Sequence, residues 1–260
     1  PLRRQRQMCI RDSTYSLLDI RRMVRTPSII IFAFVMPVAM YVLFGAIQDY
    51  GTILVAHGNV NAAVMASMAL YGTATAASGL GSSSALEQQA GWGRQLATTP
   101  MTQWNYLVTK IVSIQVVAAV PVALVLLVGA LSGARIDGIG WLWTFLLAWV
   151  CCVPYTIFGL GMAILIRNEN AASLVSFFVL AFAFLGNVFM PLGGFMLKLS
   201  RFTPLWGVNL LPRWPIMGGY EMTTQGPVEV DLFRAIISAV AWAVVFVVLA
   251  WLVSRRHRDC

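Results

Sequence analysis

Charge is scarce in this 260-residue chain: 11% of residues are Asp, Glu, Lys or Arg, and 59% are hydrophobic. A soluble globular domain carries about 25% charged residues, so a particle of this size lacks the polar surface to face water on all sides. The mean hydropathy of +0.77 agrees, and the chain is expected to be a polytopic membrane protein. Histidine is nearly absent. His57 and His257 are the two copies, which leaves imidazole catalysis almost no material, and His57 reads as a solvated loop residue. Lysine is equally rare. Lys110 follows Thr109 and Lys198 follows Leu197, so neither stands in the Gly-Lys-Ser/Thr context of a phosphate-cradling loop. The four cysteines, Cys9, Cys151, Cys152 and Cys260, make no disulfide framework and no zinc spacing. No metal and no cofactor is expected in the chain.

Long apolar runs are what remains. Scanning for about 20 mainly apolar residues yields six candidate spans: 28–47, 60–85, 111–132, 139–166, 171–190 and 235–253. None holds Asp, Glu, Lys, Arg or His in its interior. Ion-coupled carriers and pumps need buried ionisable groups as relays or ligands, so energy for uphill movement is expected from outside the chain. The second span is the least apolar, with the run Tyr71-Gly72-Thr73-Ala74-Thr75-Ala76-Ala77-Ser78-Gly79. Small residues let helices approach closely in lipid, and this span is placed in the interior. Cys151 and Cys152 lie in an apolar run, where burial keeps thiols inert.

The 18 Lys and Arg outnumber the 10 Asp and Glu, and the excess reads as sidedness rather than nucleic-acid binding. With both termini cytoplasmic, thirteen basic residues fall inside and five outside. Met8-Cys9-Ile10-Arg11-Asp12-Ser13 reads as the translation of a transposase adapter end used in sequencing libraries. Residues 1–13 are accordingly expected to be read-through or a disordered tail, and 14–260 a single membrane domain. Discounting Arg3, Arg4, Arg6 and Arg11 leaves nine against five, so the orientation is unchanged. The expected location is the inner or plasma membrane.

Ahead of the first span, Leu17, Ile20, Met23 and Val24 recur at helical spacing, with Asp19, Arg22 and Arg25 opposite. This predicts an interfacial amphipathic helix anchored to lipid headgroups by Arg21, Arg22 and Arg25. Between spans five and six, residues 191–231 are apolar but broken by Pro191, Pro204, Pro212 and Pro215. Irregular backbone at membrane depth is tolerated only inside protein or beside water. Short re-entrant or interfacial helices are therefore expected at the outer mouth, with Pro191, Gly193, Gly194 and Pro204 as gate residues.

The main inner loop runs Glu87-Gln88-Gln89-Ala90-Gly91-Trp92-Gly93-Arg94-Gln95-Leu96-Ala97-Thr98-Thr99-Pro100. Trp92 and Leu96 share one face of a short helix, Thr99-Pro100 stops it, and Lys110 lies at interface depth. Its pattern, Glu-x3-Gly-x2-Arg-x-Leu-x2-Thr-Pro with Lys ten residues on, resembles the inner-loop signature of type-2 ABC-transporter permeases. Arg25-Thr26-Pro27, Pro37, Leu43-Phe44-Gly45, Arg167 to Ala172, and Phe189 to Gly194 through Phe202 to Leu205 are similar to further parts of that family, in the same order.

The resemblance implies an all-α integral membrane fold and the membrane subunit of an ATP-driven exporter, without a nucleotide site of its own. ATP and Mg would sit on a separate ABC ATPase subunit, and a second permease copy or close paralogue would complete the dimer. Glu87, Gly91, Trp92, Arg94, Leu96, Thr99 and Pro100 would form the coupling helix to the ATPase. The charge-free spans suit a hydrophobic drug-like or lipid-like cargo. Polysaccharide export within the same family and a stand-alone six-span channel or facilitator are the alternatives.

Overall fold

The small side chains of residues 60–87 decide the architecture, because they let other helices close in on one central rod. A computed structural model of the chain describes residue 20 and residues 34–87, 103–166, 168 and 170–256. The rod is α2, Val60–Glu87. Before it come α1, Met36–Tyr41, continued by a π turn at Val42–Ala46, and a short hairpin of β1, Leu54–Val55, and β2, Gly58–Asn59. After it come α3, Gln103–Leu131; α4, Gly140–Val150; α5, Val153–Ile166; and α6, Ala171–Leu185. Two shorter helices follow, α7, Gly194–Ser200, and α8, Pro204–Met217. An antiparallel hairpin of β3, Tyr220–Thr223, and β4, Gly226–Glu229, leads into α9, Leu232–Arg256.

Helix α2 touches α1, α3, α4, α5, α6 and α8, and most of its residues are buried. The small-residue run placed in the interior from sequence is thus enclosed by other helices. The closest approach is to α5. A Cβ on Gly81 would stand 2.5 Å from the Thr156 carbonyl oxygen, and one on Gly159 would enter the Ser78 carbonyl. All the serines and threonines inside α2 but Ser82 bond back to their own helix and so cost little there: Thr75 Oγ1 donates to Tyr71 O at 2.9 Å and Ser84 Oγ to Leu80 O at 2.7 Å.

Three segments are long and apolar enough to cross a membrane: Val108–Leu131, Gly140–Ile166 and Leu232–Arg255. Met36–Ala46 and Ala171–Leu185 are apolar but shorter. The sequence-derived span 171–190 ends early because Gly186 terminates α6 and Asn187 takes a left-handed backbone, φ 59°. Helix α9 turns almost all of its apolar surface outward. Helix α3 leaves a stripe at Val108, Val112, Val116, Val120, Leu127 and Leu131 uncovered. Such surfaces are stable against lipid tails and costly against water.

The span expected at 139–166 is two helices rather than one. Pro154 lacks an N–H and its ring crowds the carbonyl four residues back, so the helix breaks at Cys151–Cys152. At the break the Trp149 carbonyl accepts from the Cys152 thiol at 2.9 Å, and α3 adds a second donor: Gln115 Nε2 donates to Trp149 O at 3.1 Å, while Trp149 Nε1 donates to Gln115 O at 2.8 Å. The Cys152 sulfur also lies 3.2 Å from Gln115 Oε1. Gln115→Leu is expected to destabilise the purified chain by about 1–3 kcal/mol, the cost of stranding buried polar groups. Thermal melting in detergent checks this, and an unchanged midpoint would show that the break does not depend on Gln115.

At the other end of α2, polar side chains tie three elements together. The Tyr41 hydroxyl donates to Asn61 Oδ1 at 2.7 Å and lies 2.7 Å from Ser132 Oγ, and Asn61 Nδ2 donates to Ser132 O. Asn59 Oδ1 accepts from the backbone N–H of Ala62 and of Arg135, both at 3.0 Å. This end also carries α7, α8 and the β3–β4 hairpin, which together form a cap.

Candidate functional site

The cap is assembled around one asparagine. Asn187 follows α6 in the left-handed region, which asparagine tolerates better than most residues, and its side chain and carbonyl together hold β3, the Leu192 segment and α8. Its Nδ2 donates to Glu221 Oε1 at 2.7 Å and to Met222 O at 3.1 Å, both on β3. Its Oδ1 accepts from Leu192 N at 2.9 Å, and Asn209 Nδ2 on α8 donates to its carbonyl at 3.2 Å.

Glu221 is 1% exposed. Trp206 Nε1 on α8 donates to Glu221 Oε1 at 2.9 Å, so one carboxylate oxygen holds two donors from different elements. The other, Oε2, has no protein partner, and neither does the buried Nε of Arg213. Burial pushes the Arg213 guanidinium down from its ordinary value, and the Glu221 carboxylate pulls it back up. An Arg remains cationic in a protein, so the cap buries a guanidinium that shares its polar surroundings with Glu221 without a direct ion pair.

The gate residues expected from sequence divide between two places. Of the first three, Pro191, Gly193 and Gly194, Gly193 lies against the turn of the β3–β4 hairpin, beside Leu192. Thr224 N donates to Leu192 O at 3.3 Å, and the Thr224 hydroxyl fills the space a Cβ on Gly193 would need. Gly194 has φ +54° and opens α7. Pro204 is the first residue of α8 and stands apart from these three, over α5, where its carbonyl accepts from the Tyr155 hydroxyl at 3.0 Å. Pro212 and Pro215 were expected to interrupt the stretch, yet α8 runs through both. Its packing against α2, α4 and α9 holds the helix where the backbone bonds are lost.

Arg21, Arg22 and Arg25 lie outside the described residues, as do Gly91, Trp92, Arg94, Leu96, Thr99 and Pro100. The backbone of Glu87 is described and is the last residue of α2. Lys110, placed at the interface from sequence, is 1% exposed in α3.

Sequence reasoning passed over Asn187, Trp206, Arg213 and Glu221. One signal was available: Glu221 is the single acid between residues 191 and 228, in a stretch otherwise apolar enough to stay at a membrane. Alternation on β3 concealed it, since Glu221 and Thr223 point inward while Tyr220 is exposed.

None of the curated proteins compared with the chain matches it. A family model does: the one described as ABC-2 type transporter covers residues 16–207, which takes in α1 to α7, the start of α8, and the inner loop between α2 and α3. With well over half of its 260 residues matched, the chain belongs to the ABC-2 type transporter family and is a multi-pass transmembrane permease of an ABC transporter.

Proposed function

We propose that the chain is the export-type membrane subunit of such a transporter, pairing with a second permease copy or close paralogue and with two separate ATPase subunits. The observation that carries this is the family match over residues 16–207, which includes the loop from Glu87 to Pro100. On this reading Glu87, Gly91, Trp92, Arg94, Leu96, Thr99 and Pro100 form a coupling helix seated on the ATPase, which binds ATP and Mg. Because α2 ends at Glu87 and lies backbone-to-backbone on α5 at Gly81 and Gly159, a push at that end is delivered into the whole bundle rather than absorbed in a loop.

The chain crosses the inner or plasma membrane six times in this proposal, the shorter helices included, with both termini cytoplasmic. Its basic residues favour that orientation. Arg21, Arg22 and Arg25 anchor an interfacial helix at the inner face. The cap, with Pro191, Gly193, Gly194 and Pro204, forms a re-entrant gate at the outer mouth. A hydrophobic or lipid-like cargo is favoured by spans whose exposed surface is apolar, such as Phe177, Phe178 and Phe184 on α6.

The test is co-purification of the chain with its cognate ATPase, together with ATP-dependent transport in vesicles. Glu87→Ala with Arg94→Ala is expected to reduce both at least tenfold while the permease itself still purifies folded, since a charge pair lost at an interface costs about 2 kcal/mol or more. Wild-type levels of both in the double variant would remove the coupling assignment.

A further inference from the structure

We infer that the groove between the α7–α8 turn and α9 is a binding site for an anionic phospholipid of the leaflet on the cap side. The groove has a volume of about 450 Å³ and is walled by Trp206, Ile237, Ser238 and Trp242, with Arg201 and Arg234 at its edge. Its floor is tight: Gly207 of α8 lies so close to α9 that a Cβ there would stand 2.7 Å from Ser238 Cβ.

Three observations fix the class of occupant. The first is depth. Arg234 stands in the first turn of α9, whose apolar surface is almost wholly uncovered, so the groove opens where a membrane-crossing helix leaves the hydrocarbon. The second is the surrounding surface. Phe195, Phe202 and Phe233 are 75%, 78% and 66% exposed, which suits the boundary of headgroups and acyl chains and not bulk water.

The third is charge. Among the described residues neither Arg201 nor Arg234 is ion-paired. Asp231 Oδ1 accepts from Phe233 N at the start of α9, and Glu221 is buried and accepts from Trp206, and neither is ion-paired with the two arginines. Two free guanidinium groups above an apolar slot match a phosphate with an acyl chain beneath it, since arginine binds phosphate through paired N–H donors. The acyl chain would run along Ile237, Ala241 and Trp242. A lipid held there would brace the cap against α9.

The test is native mass spectrometry on the full chain purified in detergent, titrated with phosphatidylglycerol, with phosphatidylcholine of the same acyl chains, and with glycerol 3-phosphate. Wild type is expected to retain phosphatidylglycerol at least tenfold better than phosphatidylcholine and to show no saturable binding of glycerol 3-phosphate. R201Q/R234Q is expected to bind phosphatidylglycerol about thirtyfold more weakly, and each single variant about fivefold more weakly. A241F, which fills the lower slot and leaves both charges, is expected to weaken phosphatidylglycerol as well. Equal retention of the two lipids, or wild-type affinity in the arginine variants or in A241F, would overturn the site. Binding of glycerol 3-phosphate as tight as that of the lipid would make it a small-anion site and overturn the lipid assignment.

Discussion

Gly159→Leu is expected to lower the melting midpoint of the detergent-purified chain by on the order of 10 °C and to cut the yield of monodisperse protein sharply. Gly159 faces the backbone of α2 at Ser78, and a side chain there meets a carbonyl rather than a movable side chain. Relief requires α5 to withdraw from α2, which opens the contact around which the other helices gather. A cost near 3 kcal/mol follows, the upper end for an overpacked core, with about 2–4 °C per kcal/mol for a chain of this size. Gly79 supplies the contrast on the facing helix. It has open space where a Cβ would go, so Gly79→Ala is expected to raise the midpoint slightly, by the ~0.5–1 kcal/mol that glycine costs inside a helix. If Gly159→Leu melted like wild type, the α2–α5 contact would not be what holds the bundle.

The second large effect is expected at Glu221. Glu221→Ala removes the acceptor shared by Asn187 and Trp206 and leaves both buried donors without a partner on β3. Stranding a buried donor costs about 1–3 kcal/mol, and two are stranded here. Glu221→Gln keeps a carbonyl oxygen for the two donors and loses only the charge, so the order of melting midpoints is expected to be wild type, then Glu221→Gln, then Glu221→Ala. Limited proteolysis between residues 187 and 231 would report the same order locally, because Asn187 also carries Leu192 and Met222. A Glu221→Ala chain as stable and as protease-resistant as wild type would show that the cap stands on its apolar contacts alone.

These two sites differ in how much of them could be read beforehand. The run from Tyr71 to Gly79 announces itself: nine residues that are mostly small suit a helix only where others press against it, and α2 is indeed enclosed. Pro154 likewise marks a place where a helix cannot continue, although the run 139–166 was long enough to read as one span. The clasp that heals that break comes from Gln115, 34 residues upstream of Trp149, and no local pattern ties the two together.

The cap was hardest to read, for a physical reason. Its polar core joins Asn187, Trp206, Arg213 and Glu221 from the end of α6, from α8 and from β3. An isolated Glu between Tyr220 and Met222 reads as a solvated turn residue until packing turns it inward. The prolines of α8 misled in the same way, since the cost of a missing hydrogen bond is local and the packing that offsets it is not.

The sequence by itself determined that the chain is a membrane protein, where its apolar runs lie and which family it resembles, because hydropathy and short motifs are properties of neighbouring residues. Tertiary structure alone decided that α2 is the rod on which α5 closes and that Glu221 and Arg213 are buried together. It also decided that Arg201 and Arg234, 33 positions apart, edge one groove. Each of these depends on distant segments sharing a place, and periodicity along the chain carries no record of that.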